Sequence, residues 1–581
     1  MQLMTRPSTP LAPAAIARRL VFILLATALA KFLYVFGLTQ YENYVYSDSG
    51  HYFYRAKAML DGLVPYHYDW DVFPMGVTVL LAGYWKALSL LGFDGDLLIS
   101  AMSLNILAST VCVALVFHLG WRLTARARLA LGIALAYGLF YPLIYLSAFV
   151  LSEPAAQLFF LLSLSALIEA PHRKQPALWL ALAGFFWAVT CQCRGAFLPT
   201  AAPIALALWL YPPAALGRLK SLLSFGAAAA LVFFAAGFAL WVVSDGASYK
   251  PTGNNGGFNF FLQHCHYHGV HTTQNNFTWE FQPAPFAIQP ELGTFYTTVP
   301  FPDQGYYFRE AFRCLAEQPG ALPRLVAFAP TLFYNQFFPD LHSAQGYAAL
   351  MPIMRHLNVL LLLLTPAGYF ALRNSQPMAA RLLLWSGLTL WITAALFNAD
   401  HRHLYGFTFV TLLLGISGAV ALLARPWWQT LRYAAVASAV TALAVYLFAG
   451  QGPWALYDHK RITIQASLIT KTVPNGTPWY SLDALRFWAP VHIELEGIQH
   501  ARTLRLSLDN NDVYELTFWN GAESLGRVQL ALANKSDQPL GLIGRKLSLP
   551  PKITQRGYDA ITVTPVAGDG SYSMAGLQLE P

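Results

Sequence analysis

The chain has 581 residues, of which 56% are hydrophobic and only 11% charged, and its mean hydropathy is +0.43. Soluble globular proteins carry about 25% charged residues, so most of this chain does not face water, which excludes a soluble enzyme. The net charge of +8 does not point to nucleic acid. The basic residues sit in short clusters between apolar runs, where the cytoplasmic loops of membrane proteins carry them.

A helix that crosses a bilayer needs about 20 mostly apolar residues. A short Pro-containing cytoplasmic tail (1–15) leads into an apolar run at 18–38. That run is too long for a signal-peptide core and is read as a retained anchor. Further spans are predicted at 97–121, 127–149, 152–169, 177–193, 196–211, 221–243, 352–372, 382–398, 404–424 and 431–450. Two apolar stretches, 73–92 and 325–345, are ambiguous. If neither spans, then Arg18-Arg19, Arg122 to Arg128, His172-Arg173-Lys174, Arg218 with Lys220, Arg373 with Arg381, and Arg425 with Arg432 all face the cytoplasm. If both span, three of those clusters move outside. The two stretches are therefore predicted to be re-entrant or interfacial helices, a state tolerated where backbone lines a protein cavity.

The expectation is a mainly α polytopic membrane protein of about eleven spans, N-terminus inside and C-terminus outside. The membrane domain would cover 16–454, with outer loops at 39–72 and 245–324, and an extracytoplasmic domain would cover 455–581. In that tail Thr503–Leu508 and Val513–Phe518 alternate apolar and polar residues. Turn signals at Asp509-Asn510-Asn511, Asn520-Gly521 and Gly568-Asp569-Gly570 separate such runs. Period-2 alternation between turns predicts an antiparallel β domain, a sandwich or jelly roll. Of the five cysteines, Cys112, Cys191 and Cys193 lie in or near apolar segments. Cys265 and Cys314 share the long outer loop, where they could pair or stay as free thiols.

The residues able to carry chemistry crowd the outer boundary. Asp48 lies about ten residues past the first span, before a short amphipathic helix. It could serve as a general base on an incoming hydroxyl or amine, or simply as a helix N-cap. Asp69 and Asp71 precede Phe73-Pro74-Met75-Gly76 and could hold a divalent metal, bind sugar hydroxyls, or be solvated loop residues. Glu153, in Leu151-Ser152-Glu153-Pro154, opens a span, where the helix dipole also favours an acid. Arg194 and Arg402 break the positive-inside pattern; a guanidinium at that depth suits a lipid phosphate, or snorkels to head groups. His264, His266, His268 and His271 cluster around Cys265, but their spacing matches no standard metal site.

Together these positions resemble the GT-C superfamily of membrane glycosyltransferases, in particular the aminoarabinose lipid A transferases and the protein O-mannosyltransferases. The resemblance covers roughly 16–450 and lies in order and spacing. It rests on the acid-led Tyr/Ala helix of the first outer loop (Asp48, Tyr52, Ala56, Ala58, Gly62) and on an acid before a Pro-containing apolar segment (Asp71, Pro74). It rests also on Leu151, Glu153 and Pro154 opening a span, on Arg194 before a short span, and on Asn255-Gly256-Gly257-Phe258-Asn259-Phe260. Arg402 and Tyr405 opening a late span complete it. The chain departs from that pattern at Pro74-Met75, where two prolines are usual, and at Arg402-His403, where Arg-Tyr is usual.

The resemblance implies an inverting transferase on the extracytoplasmic side. Its donor would be a polyprenyl-phosphate-linked sugar and its acceptor a lipid, a glycan or a protein. Asp48 would be the catalytic base. Asp71, Glu153, Arg194, Asn255, Asn259, Arg402, His403 and Tyr405 would bind substrate. A divalent metal, if used, would be held by Asp71, His264 or His266. The Ala/Leu-rich usage points to a bacterial inner membrane with the outer domain in the periplasm. An O-antigen ligase-like transferase is a neighbouring alternative, and a transporter or flippase of lipid-linked sugar a more distant one. Transporters place charges near the midplane and carry repeats, neither of which this sequence displays.

Overall fold

The computed structural model describes residues 12–39, 41, 47–62, 74–93, 95–244, 246, 248–253, 256–264, 286–289, 294–297, 303–317, 350–397, 401–424, 436, 462–465, 485–487, 490–509, 512–531, 542–567 and 572–581. Among them the chain is mostly helical up to Leu423, with a β domain near the C-terminus. The predicted stretches 325–345 and 431–450 fall almost wholly outside the described residues.

The apolar runs form helices because their Leu- and Ala-rich composition combines good helix propensity with backbone groups that must pair internally in lipid. Helix α1 (Pro13–Leu33) ends in one π-helical turn, Tyr34–Leu38. Then come α2 (Ser47–Leu60), α3 (Gly76–Leu90), α4 (Leu97–Thr124), α5 (Ala127–Gly138), α6 (Tyr141–Tyr145), α7 (Ser152–Glu169) and α8 (Pro176–Cys193). A 3-10 turn, Gly195–Thr200, leads into α9 (Ala201–Leu210) and α10 (Gly217–Val243). Between α10 and the next long helix lie α11 (Gly256–His264), the hairpin β1 (Phe286–Gln289) and β2 (Thr294–Thr297), and α12 (Gln304–Glu317). The membrane part continues with α13 (Leu350–Leu372), α14 (Pro377–Phe397), a 3-10 segment His401–Phe407, and α15 (Thr408–Leu423).

Seven described helical segments are long and apolar enough to cross a membrane, so the chain is an integral membrane protein. The expected span 127–149 is not one straight helix. It is α5 plus a second short piece, bent by 54°. Pro142 and the Gly138-Leu139-Phe140 junction account for the break, because proline removes a ladder donor and clashes with the preceding turn. The expected span 196–211 likewise starts as a 3-10 turn containing Pro199. Helix α3 has 15 residues, about 22 Å of rise, short of the ~30 Å hydrocarbon core.

The most enclosed helices are α7 and α15. Helix α15 crosses α13 through small residues. Gly368 lies on the Leu414 carbonyl and Gly418 on the Leu364 carbonyl, and a Cβ at either would fall well inside contact distance. Close backbone approach through small residues is the usual means of helix association in lipid, where burial of apolar surface gives no driving force. Cys314 is disulfide-bonded, whereas Cys112, Cys191 and Cys193 are free thiols. Cys265 lies outside the described residues.

The β domain is a sandwich. One sheet has the order β3 (Ile462–Gln465), β5 (Val491–Gln499), β10 (Tyr558–Ala567), β7 (Val513–Asn520), β8 (Glu523–Ala531). The other runs β4 (Leu485–Phe487), β11 (Tyr572–Glu580), β6 (Thr503–Asp509), β9 (Leu542–Ser548). The alternation read at Thr503–Leu508 buries Leu504, Leu506 and Leu508, and that at Val513–Phe518 buries Tyr514, Leu516 and Phe518. The expectation of purely antiparallel pairing is corrected at one edge, where β3 pairs parallel with β5. Asn520-Gly521 forms the β7–β8 turn, with Gly521 at φ +53° and its N–H donating to the Asp559 carboxylate.

Candidate active site

A buried ion pair lies where α7 begins and α8 ends. Arg194, which caps the C-terminus of α8, places Nη1 2.8 Å from Glu153 Oε1. The same Nη1 donates to Ser152 Oγ at 3.0 Å, and that hydroxyl donates to Glu153 Oε2 at 3.4 Å. Glu153 is 3% exposed and the Arg194 side chain 14%. The local sequence explains why the acid sits there. Pro154 in the first turn has no N–H to leave unpaired, and the free N–H groups of that turn form the positive end of the helix dipole. Arg194 Nε and Nη2 carry no hydrogen bond among the described residues, so two donors of the guanidinium fork stay available for an anion.

Three further elements reach the ends of these two helices, and α2 packs on one of them. Gln192 Nε2 donates to the Pro251 carbonyl at 2.5 Å, and Gly195 lies against the Gly253 carbonyl, so the 248–253 segment covers the end of α8. Gly76, which opens α3, abuts Gln192. A Cβ there would lie 2.6 Å from the Gln192 carbonyl oxygen and 2.8 Å from Cys193 N. Only a glycine lets α3 dock this closely, which sets the buried Pro74 beside the end of α8. Helix α2 packs on α3 with Tyr52 and Ala56 buried and Phe53 edge-on to Trp85. The 401–407 segment reaches α7, with Gln157 Nε2 donating to the Tyr405 carbonyl at 3.4 Å and Gly406 lying against Phe197.

The predicted residues divide accordingly. Glu153 and Arg194 are in contact, and Tyr405, 3% exposed, lies on the segment packed beside them. Asp48 lies in α2, and Arg402 and His403 lie in the 401–407 segment; their side chains are outside the described residues. Asn259 is half-buried on α11, which docks on α12 through Phe258 edge-on to Tyr307. Asp71, Asn255 and His266 lie outside the described residues. His264 is 1% exposed, and its ring packs edge-on against Phe260 with centroids 4.3 Å apart. Burial pulls its imidazole down to about 4, partly opposed by the Leu396 carbonyl. No group of three His, Cys, Asp or Glu side chains among the described residues could hold a metal, and Asp71 and His266, the other expected ligands, lie outside those residues.

The sequence reading missed Ser152 and Gln192, which stand directly beside residues it singled out. It also missed Lys31, whose signal is a lone basic residue near the C-terminal end of an apolar run. Lys31 is fully buried in α1 beside Cys112, and its ammonium has no hydrogen-bond partner among the described residues. Cys112 is hydrogen-bonded with Tyr137.

No protein-family model matches this sequence, and no curated protein matches it. Among solved structures, the neighbours include archaeal oligosaccharyltransferases from Archaeoglobus fulgidus, enzymes of the GT-C fold. The structure of AglB in complex with an inhibitory peptide and a dolichol-phosphate is 12% identical, with a TM-score of 0.42, covering 76% of this chain and 55% of that one. The apo form is 13% identical at a TM-score of 0.37, with the same coverage. A complex with Zn and sulfate is 13% identical at 0.35, covering 75% and 52%. This chain spans about half the length of these neighbours. At such values the likeness lends no residue a role.

Proposed function

We propose that the chain is a GT-C-type inverting glycosyltransferase that moves a sugar from a polyprenyl-phosphate donor to a lipid, glycan or protein acceptor outside the membrane. The observation that carries this reading is the Arg194 guanidinium, fixed by buried Glu153 and Ser152 and left with two free donors. An arginine held this way at an apolar boundary suits the phosphate of a lipid whose chain stays in the bilayer. Glu153 is then a positioning residue, which neutralises and orients Arg194 rather than reacting.

The step balances simply. Asp48, carried on α2, takes the proton of the acceptor hydroxyl or amine. The acceptor forms its bond to the anomeric carbon as the bond from that carbon to the phosphate oxygen breaks, with inversion. The electron pair leaves on the phosphate, and Arg194 with Arg402 stabilises the charge that develops there. Phosphate departs without a strong general acid, so one base suffices. The orientation is N-terminus inside with about eleven spans, which leaves the β domain in the periplasm of a bacterial inner membrane.

The test is release of polyprenyl phosphate from a panel of polyprenyl-phosphate sugars, with purified protein in nanodiscs, comparing wild type, Asp48→Asn and Arg194→Ala. Wild-type turnover, lost by two orders of magnitude or more in Asp48→Asn with its fold intact, supports the assignment; general-base removal typically costs about 10²–10⁴ in rate. Equal turnover in Asp48→Asn would refute Asp48 as the base. No turnover of any donor, with any acceptor class present, would refute the enzyme reading and favour transport.

A further inference from the structure

At the opposite, cytoplasmic end of the bundle, α1 and α5 leave a groove of about 590 Å³ between them. Its mouth carries three exposed guanidiniums, Arg18 and Arg19 from α1 and Arg128 from α5. None of the three has an acidic partner among the described residues. Below them the groove is apolar, with buried Ile23 and Leu131 as its floor and exposed Phe22 and Leu135 as its walls. Gly132 lines it as well, and a Cβ there would meet nothing within 4 Å. A glycine inside a helix costs about 1 kcal/mol relative to alanine; here its missing side chain keeps the groove open.

From this geometry we infer that the groove is a binding site for an anionic glycerophospholipid of the cytoplasmic leaflet. The head group sits among Arg18, Arg19 and Arg128, and an acyl chain lies along Phe22, Gly132 and Leu135. Topology alone explains basic residues at this end, but not their convergence on one apolar groove. Arg128 also sits in the first turn of α5, the end of a helix dipole where a cation is disfavoured and an anion favoured. A bound phosphate turns that unfavourable arrangement into a favourable one. The inference is independent of the glycosyltransferase reading, since none of these residues belongs to that site.

The experiment is native mass spectrometry of the full chain released from nanodiscs of equimolar phosphatidylglycerol and phosphatidylcholine. Wild type is expected to retain phosphatidylglycerol selectively. Each Arg→Gln change is expected to lower its retention about five-fold, and Gly132→Leu is expected to abolish it. Gly132→Leu fills the groove without touching charge, topology or packing, so it separates lipid binding from membrane orientation. Equal retention of both lipids by wild type would overturn the inference. So would unchanged phosphatidylglycerol retention in Gly132→Leu, or displacement of the bound lipid by an equimolar polyprenyl phosphate.

Discussion

Removing either half of the Glu153–Arg194 pair should cost more than removing both. Glu153 is 3% exposed and its partner 14%, so solvent screens the pair weakly. With charge centres about 4 Å apart and an effective dielectric constant near 20, the attraction is about 4 kcal/mol. Desolvation of the two ions opposes a gain of similar size, so the intact pair is worth little against a well-packed apolar isostere. A lone partner keeps the desolvation cost and loses the attraction. Glu153→Ala and Arg194→Leu should therefore each destabilise by about 3–5 kcal/mol. The double variant should fall at least about 2 kcal/mol short of their sum. Reversible unfolding in mixed micelles, followed by helical circular dichroism, measures all four corners of the cycle. A coupling energy below about 0.5 kcal/mol would refute the argument, because residues that do not interact add within that margin.

Two further outcomes follow from close packing and burial. Gly76→Val puts a branched side chain against the Gln192 carbonyl, so it should cost about 1–3 kcal/mol and lower turnover by moving α3 off α8; an unperturbed melting temperature would show that α3 docks elsewhere. For His264, the fold lowers the imidazole from 6.5 to about 4, which favours the neutral ring. The packing of α11 is then fully stable above pH 6.5 and loses up to about 3 kcal/mol as pH falls from 6.5 to about 4. Hydrogen exchange at the 256–264 amides should accelerate across that window in wild type and not in His264→Leu; the same acceleration in both would assign the effect to another group.

What the sequence made legible are the features whose signal is local. An apolar run of twenty residues is a span because every backbone group must pair within it, and Leu504, Leu506 and Leu508 announce a half-buried strand by their period. The pairing of Glu153 with Arg194 was not legible, because contact across 41 positions depends on how α7 packs against α8, and neither helix's pattern records its neighbour. The parallel β3–β5 edge was hidden for the same reason, since a strand's alternation is identical in either direction. The bend after α5 was legible in principle through Gly138 and Pro142, but the apolar run of 127–149 masked it.

Glu153 and Glu169 stand at opposite ends of α7, in opposite positions relative to its dipole. Glu153 and Glu169 lie 16 residues apart, about 24 Å along the helix, so they stand near opposite boundaries of the hydrocarbon core. Glu153, in the first turn, sits at the positive end of the dipole, and Arg194 with Ser152 completes its environment. Glu169, at the last residue of α7, sits at the negative end, where a carboxylate is disfavoured. It is matched by Arg122 at 2.5 Å, Arg173 at 2.9 Å and His118 at 3.3 Å. The cations there are spent on anchoring a buried acid. At the other end the dipole stabilises Glu153 alongside Arg194. The two acids of this helix are thus stabilised by different means, Glu153 by the dipole with Arg194 and Glu169 by cations set against the dipole.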